Sequence, residues 1–171
     1  MKQLNNFINE KLKISETSFI LEKLKISSKS KVNQYNYFPK DKNELIEIIN
    51  ELINKRGKNA DLNDIDTSKI TDMSYLFNRN IMNIENPDIS NWDVSNVEDM
   101  SVMFAGCINF DCDLSNWDVS KVISMKYMFD NCLKFTGKNL DKWNIKNLKY
   151  TYKMFRKTKV SQDIIDKFIN I

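Results

Sequence analysis

The chain has 171 residues, 42% of them apolar and 29% charged, which is the composition of a single globular domain with a modest core. Its net charge of +3 is too small to indicate a nucleic-acid or membrane partner, and no stretch approaches the roughly 18 apolar residues of a membrane span. There is no histidine, no CxxC pair and no phosphate-binding or GxSxG motif, so we expect a protein that is not an enzyme and that holds no metal and no cofactor.

Residues 1–34 form a basic arm that contains a duplicated segment. FINEKLKIS begins at Phe7 and FILEKLKIS begins at Phe19. Apolar positions at helical spacing predict an amphipathic helix in the first copy. The arm either packs on the domain or docks on a partner protein, and both alternatives stay open. The side chains available for docking are Phe7, Ile8, Leu12, Phe19, Ile20 and Leu24.

The charge and composition of this arm bear on its partners and on its compartment. Residues 1–40 carry a net charge of +5, but a charge-rich arm is usually solvated, so the sequence does not favour nucleic acid as the partner. The N-terminal stretch lacks the apolar h-region and the small-residue cleavage site of a signal peptide. We therefore expect a cytoplasmic or virion-associated protein.

Residues 35–60 are predicted to hold an N-terminal capping helix. Asp41, with Glu44 three residues later, is a start of the capping-box type, and Gly57 is placed to end the helix. One face of this helix carries the apolar side chains Leu45, Ile48, Ile49, Leu52 and Ile53. A repeat array needs such a cap because the open end of its core is otherwise exposed to water.

Residues 61–160 contain a repeat with a period of 25 to 27 residues. Trp92 begins WDVSNVEDMSVMF, Trp117 begins WDVSKVISMKYMF, Trp143 begins WNIKNLKYTYKMF, and Ile65 begins a weaker copy, IDTSKITDMSYLF. A fixed period of this length is typical of a solenoid, in which each coil buries its apolar face on its neighbours. We therefore predict a short solenoid of about four coils.

The apolar spacing inside each copy predicts parallel strands. The spacing is the LxxLxLxx of leucine-rich repeats, as in Ile89, Trp92, Val94 and Val97. The strands are expected to centre near Asp66, Asp93, Asp118 and Asn144. The predicted fold class is therefore an α/β repeat, a short leucine-rich-repeat solenoid with parallel strands and a capping helix at each end.

Two further kinds of helical segment complete this predicted domain. Methionine and phenylalanine positions after each strand predict a short helical or 3₁₀ turn, as at Met100, Met103 and Phe104. Asp72 and Asp99 directly precede such turns and are expected to cap them. Residues 161–171 are predicted to form a C-terminal capping helix that begins at Ser161 and presents Ile164, Ile165, Phe168 and Ile169.

For Cys107 and Cys132 the sequence leaves two alternatives, a disulfide or buried free thiols. Cys107 and Cys132 are 25 residues apart and share one repeat position, so stacked coils would bring them within disulfide distance. Cys112 makes the number odd. An odd count without a signal peptide favours buried free thiols over a disulfide.

The segments WDVSNVEDMSVMFAGCINF and WDVSKVISMKYMFDNCLKF resemble the BspA-type leucine-rich repeat, also described as the mycoplasma lipoprotein-associated repeat. The resemblance covers about residues 61–160. It implies a right-handed solenoid, often found on bacterial surface proteins that attach to host or matrix proteins. The last copy departs from the pattern, with Asn144 for Asp, Lys146 for Ser and Thr151 for Met.

One polar face of the repeats is expected to carry the binding residues. Strand alternation would point the repeated acid, as in Asp93 and Asp118, away from the core. Stacked carboxylates repel unless a partner, a cation or local hydrogen bonds neutralise them, and the pattern favours local hydrogen bonds over a recognition stripe. The predicted binding residues are Asp66, Asn91, Asp93, Ser95, Asn116, Asp118, Ser120 and Asn144.

We expect a non-catalytic, protein-binding solenoid, adhesin-like or host-interacting, that recognises a protein through this face. The alternative is a structural or accessory component of a phage or bacterial assembly, docked through the basic arm. Binding that needs only the repeat face would favour the first role, and binding that needs the arm would favour the second.

Overall fold

The computed structural model describes residues 35–78 and 84–169. The chain divides into two units, residues 1–34 and 35–171, and the described residues all belong to the second. The predictions for the N-terminal arm, including its helix and its docking side chains, therefore lie outside the described residues.

Helix α1 spans Lys42–Arg56 and begins after the N-cap Asp41. The Asp41 carboxylate accepts hydrogen bonds from the N–H groups of Asn43 and Glu44, at 2.9 and 3.0 Å. These bonds satisfy two of the N–H groups that every helix start leaves without a partner. The Glu44 carboxylate in turn accepts a hydrogen bond from the N–H of Lys40 at 2.8 Å. The start of α1 thus follows from the acidic residues that the sequence places there.

The apolar face of α1 is part of the core of the repeats. Leu45, Ile49 and Leu52 are completely buried. They belong to the same apolar cluster as Leu62 and Ile65 of the first repeat. Burial of these side chains stabilises the helix on the domain, because each removes apolar surface from water.

No strand or sheet forms within residues 35–78 and 84–169, so the predicted leucine-rich-repeat solenoid with parallel strands is wrong. Successive repeat units are joined instead by isolated parallel bridges. The bridges pair Tyr37 with Ile65, Asp61 with Asp88, Asp72 with Asp99, Asp99 with Ser124, and Ser124 with Tyr150. None of them contains the predicted strand centres Asp66, Asp93, Asp118 and Asn144.

The chain around the predicted strand centres is too tightly turned to form a strand. The N–H of Val97 donates to the carbonyl of Val94 at 2.9 Å, and Val122 donates to Val119 at 3.0 Å. Hydrogen bonds over three residues close turns, whereas a strand directs its N–H groups to a neighbouring strand. A series of turns can bury every second or third side chain as a strand does, so the LxxLxLxx spacing alone does not distinguish the two.

Turns also replace the helical segments predicted at the methionine positions. The N–H of Met103 donates within its own unit to the carbonyl of Met100 at 3.3 Å, whereas Val102 donates to Lys126 of the next unit at 2.8 Å. Val102 has a φ of 62°, in the left-handed region, which interrupts a right-handed helix. N–H groups in this segment therefore alternate between closing a turn and joining two units.

The two aspartates that precede these turns cap them, as predicted. The Asp72 carboxylate accepts a hydrogen bond from the N–H of Ser74, and the Asp99 carboxylate accepts one from Ser101, both at 2.7 Å. Short polar side chains of this kind stabilise a turn by occupying an N–H two residues later.

Aromatic rings stack from unit to unit through the core. The centroids of Phe77 and Phe104 are 5.5 Å apart, those of Phe104 and Phe129 are 5.5 Å apart, and those of Phe129 and Phe155 are 5.9 Å apart. The planes in these three pairs deviate from parallel by 8° or less. One phenylalanine ring of each repeat thus belongs to a regularly spaced stack in the core.

The tryptophan side chains join the units by hydrogen bonds as well as by packing. Each indole N–H donates to a carbonyl of the preceding unit, at 2.9 to 3.1 Å. The pairs are Trp92 with Leu62, Trp117 with Ile89, and Trp143 with Leu114. A buried indole N–H needs such an acceptor, so every tryptophan is tied to its neighbouring unit.

Helix α2 spans Gln162–Ile169 and covers the last unit through Phe168. The Phe168 ring meets Trp143 edge-on at 6.3 Å and Phe155 edge-on at 5.3 Å. Ile169, which was predicted to join this contact, is 63% exposed because it is rotated about 100° around the helix from Phe168. A single-turn 3₁₀ helix at Leu140–Lys142 precedes the last tryptophan.

Arg56 links the end of α1 to the first repeat unit. Its guanidinium donates to both carboxylate oxygens of Asp64 at 2.8 Å and to the carbonyl of Asp61 at 2.6 Å. The hydrogen bonds from Arg56 lower the pKa of Asp64 to about 2. This carboxyl therefore ionises at lower pH in the folded chain than in the unfolded chain.

Acid is expected to remove the stabilisation that this ion pair provides. A folded-state pKa below the unfolded value gives stability that is complete above about pH 4 and is lost as the pH falls towards 2. We expect Asp64→Asn to lower the free energy of unfolding by about 1 kcal/mol at pH 6 and by almost nothing near pH 2, since the pair is partly exposed. Urea unfolding of both proteins across this range measures the difference. A difference independent of pH would contradict the assignment.

Candidate binding surfaces

The acidic residues of the predicted binding face each close a turn. The Asp93 carboxylate accepts two hydrogen bonds from Ser95, one from the N–H at 3.0 Å and one from the hydroxyl at 2.7 Å. Asp118 accepts one from the N–H of Ser120 at 3.0 Å. Both aspartates are exposed. The first and last copies repeat this bond, between Asp66 and Ser68 and between Asn144 and Lys146.

Local groups offset the repulsion between these stacked acids. Hydrogen bonds from Ser120 lower the pKa of Asp118, and the charges of Lys121 and Lys146 act in the same direction. The turn role, which the sequence favours, therefore accounts for the repeated aspartate. Recognition of a partner by this column stays a prediction.

Further hydrogen bonds hold the polar turns of successive units in register. Three of them run from a side chain to a carbonyl of a neighbouring unit, from Thr67 to Asp93, from Asn96 to Ser68 and from Asn147 to Ser120. Asn91 and Asn116 precede two of the tryptophans and are exposed. The predicted residues thus sit on regularly repeated turns, but they do not form a cleft.

An open acidic groove of about 360 Å³ lies beside the second and third units. Its lining includes Asp88, Asp111, Asp113 and the half-buried thiol of Cys112. Asp111 accepts hydrogen bonds from the N–H and the hydroxyl of Thr136, at 2.9 and 2.8 Å. Burial raises the pKa of Cys112 to about 11, which keeps this thiol protonated near neutral pH. In residues 35–78 and 84–169, no three acidic, cysteine or histidine side chains are grouped to hold a metal ion.

Cys107 and Cys132 are buried, and no disulfide joins them. The thiol of Cys107 donates to the carbonyl of Phe77 at 2.9 Å, and that of Cys132 donates to Phe104 at 3.0 Å. Burial raises the pKa of Cys132. These thiols have the environment of structural core groups, because a reactive cysteine needs a lowered pKa and access to solvent.

The last two units expose an aromatic and cationic surface that the repeat pattern does not predict. This tyrosine–lysine surface consists of Lys126, Tyr127, Tyr150, Tyr152 and Lys153. Tyr150 and Tyr152 are 49% and 57% exposed. The Lys126 ammonium lies 4.3 Å from the centroid of the Tyr150 ring, and the Lys153 ammonium lies 4.8 Å from that of Tyr152. Tyr152 also meets Tyr127 edge-on at 5.3 Å.

The backbone sets the positions of these side chains. Tyr127 and Lys153 occupy equivalent positions and have φ values of 56° and 53°. The N–H of Tyr127 donates to the carbonyl of Tyr152 at 3.0 Å. In the same two units Arg156, which is exposed, donates to both carboxylate oxygens of Asp130, at 2.7 and 2.6 Å. Backbone hydrogen bonds and an ion pair therefore join the two units that carry this surface.

The sequence signal for this surface is the departure of the last copy from the repeat. Tyr150, Thr151 and Tyr152 stand where the third copy has Ser124, Met125 and Lys126. Structural repetition explains residues that recur, and it leaves unexplained those that break the pattern while staying exposed. Aromatic residues at such positions point to a role other than folding.

Comparison with known proteins assigns the chain to a family. No helix in the described ranges has both the length and the apolar character needed to cross a membrane. No curated protein and no solved structure gives a match. Residues 47–168 match the family described as "Mycoplasma protein of unknown function, DUF285". This match covers most of the chain, including the four repeats. It does not show that the repeats are of the BspA type. The chain therefore belongs to the DUF285 family of mycoplasma proteins.

Proposed function

We propose that this protein is a non-catalytic binding module that recognises a protein partner through the tyrosine–lysine surface. The observation that carries the proposal is the exposure of Tyr150 and Tyr152 together, each beside a lysine ammonium. Tyrosine is enriched at protein interfaces because it offers a large contact area and loses little conformational entropy on binding. An exposed aromatic cluster on one face is a feature of interaction sites.

The use of the other polar groups supports a binding role over a catalytic one. Every buried side-chain nitrogen and oxygen in the described residues has a hydrogen-bond partner. The carboxyls with lowered pKa values, such as Asp64 and Asp118, belong to an ion pair and to a turn. Active sites instead gather groups with shifted pKa values in a concave pocket.

The resemblance to BspA-type repeats supports an adhesin-like or host-interacting form of this role. It is carried by the WDVS segments that begin at Trp92 and Trp117. Proteins with such repeats often attach to host or matrix proteins. The alternative, a component of a phage or bacterial assembly, is favoured by the duplicated segments that begin at Phe7 and Phe19.

Site-specific photo-crosslinking in the producing cells tests this proposal. A photoreactive residue placed at Tyr152 of the full chain is expected to give discrete adducts that protease removes and nuclease does not. The same residue at Glu47, which is exposed on α1, serves as the control and is expected to give none.

Two further positions separate the alternatives. Adducts from Asp93 and none from Tyr152 would move the binding site to the column of polar turns. Adducts from Phe19 alone would favour docking through the arm. A chain that gives no protein adduct from any of these positions would contradict a protein-binding role.

A further inference from the structure

The backbone hydrogen bonds that the turn segments make between repeat units follow one rule that breaks off at the last unit. In the first three units, every second N–H of the turn segment donates to a carbonyl of the next unit. In the third unit these bonds run from Met125 to Tyr150, from Tyr127 to Tyr152 and from Phe129 to Met154, at 2.8 to 3.0 Å. The equivalent donors of the last unit are the N–H groups of Thr151, Lys153 and Phe155. No hydrogen bond within the described part of the chain uses these three N–H groups.

We propose that this row of donors binds an extended, acidic segment of a partner protein. This inference rests on the proposed protein-binding function and names the chemistry of the partner. The carbonyl groups of an extended segment would accept hydrogen bonds from Thr151 and Lys153, as the last unit accepts them from the third. Backbone pairing at an open edge is a recurrent mode of peptide recognition, since it supplies several hydrogen bonds without a preformed pocket.

The covered ends of the domain favour a single segment over a second copy of the chain. The first unit offers the complementary carbonyls, but Lys42 of α1 lies beside this segment and donates to the Asp72 carboxylate and the Ser74 hydroxyl, at 3.0 and 2.8 Å. At the other end, Phe168 of α2 packs on Phe155. Two ends that each carry a helix are too bulky to approach to the roughly 5 Å spacing of paired backbones. A thin segment needs only the exposed stretch around Tyr152 and Lys153.

The charge around the open edge selects an acidic segment. Lys126 and Lys153 lie beside the donors, and Lys149 and Lys157 are exposed in the same unit. Arg156 is paired with Asp130, whereas the ion pairs among residues 35–78 and 84–169 include none of these four lysines, so the lysines supply the positive charge at this edge. Carboxylates spaced along an extended chain would meet these ammonium groups, and their attraction would weaken with salt.

The same geometry disfavours single-stranded nucleic acid. Proteins bind single strands by stacking bases on open aromatic faces. Here Lys126 lies 4.3 Å from the Tyr150 centroid, and Lys153 lies 4.8 and 6.0 Å from those of Tyr152 and Tyr127. Each ring therefore has an ammonium group near one face, and an ammonium group suits a carboxylate better than a base.

A peptide titration followed by amide NMR of the full chain tests the inference. The probe is a synthetic peptide of about ten residues with alternating glutamate and threonine, long enough to span the edge. We expect it to shift the amide signals of Thr151, Lys153 and Phe155 and to slow their hydrogen exchange. The same peptide with lysine in place of glutamate is expected to leave them unchanged.

Charge reversal at the edge is the second part of this test. Lys126→Glu with Lys153→Glu is expected to weaken binding of the acidic peptide about tenfold or more. Lys58→Glu with Lys138→Glu makes the same charge change at exposed positions elsewhere and is expected to leave the affinity within about twofold. The amide signals of the core report whether each variant keeps its fold.

Three results would overturn the inference. One is peptide binding that leaves the three amides unprotected, and another is no binding at all. The third is an oligothymidylate that protects these amides where the acidic peptide does not. Protein adducts from position 152 without any of the expected amide changes would refute the backbone edge and leave the proposed function standing.

Discussion

Replacing Trp117 by alanine is expected to lower the free energy of unfolding by about 3–5 kcal/mol. Trp117 is 3% exposed and lies between two other units. Its ring is parallel to that of Trp143 at 6.5 Å and meets Phe104 at 6.4 Å. Its indole N–H donates to the carbonyl of Ile89 at 3.1 Å. The substitution would thus leave a cavity and remove the hydrogen bond to a buried carbonyl.

Two control variants separate these contributions. Trp117→Phe keeps an aromatic ring and loses the indole N–H, so we expect a smaller cost, about 1–2 kcal/mol. Tyr152→Ala removes an exposed ring and is expected to change stability by less than about 0.5 kcal/mol. Denaturant unfolding at constant pH measures all three. An alanine variant as stable as the wild type would show that Trp117 is not part of the core.

Ile49→Asp in helix α1 is the second change with a large expected effect. We expect it to lower the free energy of unfolding by about 3–5 kcal/mol. Ile49 is completely buried in the cluster that also contains Leu62 and Ile65. Aspartate there would either bury a carboxylate without a partner or detach the helix. Detachment would expose the apolar end of the first unit, so the variant should also self-associate.

The neighbouring residue provides a matched control for this variant. Asn50 is exposed on the same helix, and Asn50→Asp makes an acidic side chain without burying it. We expect its stability to stay within about 0.5 kcal/mol of the wild type. Thermal unfolding and light scattering of both variants test the role of α1 as a cover for the core. Equal stability of the two would contradict that role.

The parts of the fold that follow from local chemistry can be predicted from the sequence. Asp41 and Glu44 mark the start of α1 because capping needs a particular side chain at a particular position. Asp72 and Asp99 cap their turns for the same reason. The tryptophan and phenylalanine positions are buried because their spacing matches the period of the repeat.

The prediction of parallel strands is wrong because apolar spacing records which side chains face inward and does not record the conformation of the backbone between them. The left-handed φ values of Tyr75, Val102 and Tyr127 decide between turns and a helix. Residues other than glycine rarely adopt the left-handed region, and these tyrosine and valine side chains do not indicate it in the sequence. The hydrogen bonds that hold them there come from the neighbouring unit.

The tyrosine–lysine surface is absent from the sequence prediction for a related reason. The acids of the repeat, such as Asp93 and Asp118, attract attention because they recur, and the structure uses them in turns. Tyr150 and Tyr152 occur once each and look like a decayed copy of the motif. Their proximity to Lys126 and Lys153 depends on the stacking of the last two units.

The backbone hydrogen bonds of the turn segments also give this face of the domain an electrical direction, because their N–H groups all point towards the last unit. The peptide group between Asp99 and Met100 accepts a bond from Met73 of the first unit and donates one to Ser124 of the third. Peptide groups joined in this way have parallel dipoles, and their effects add as they do along an α-helix. The positive end of each such column lies at the last unit, at N–H groups such as that of Thr151. Lysines at this edge reinforce the field of these N–H groups, so an approaching anion would be drawn to the edge even before it makes contact.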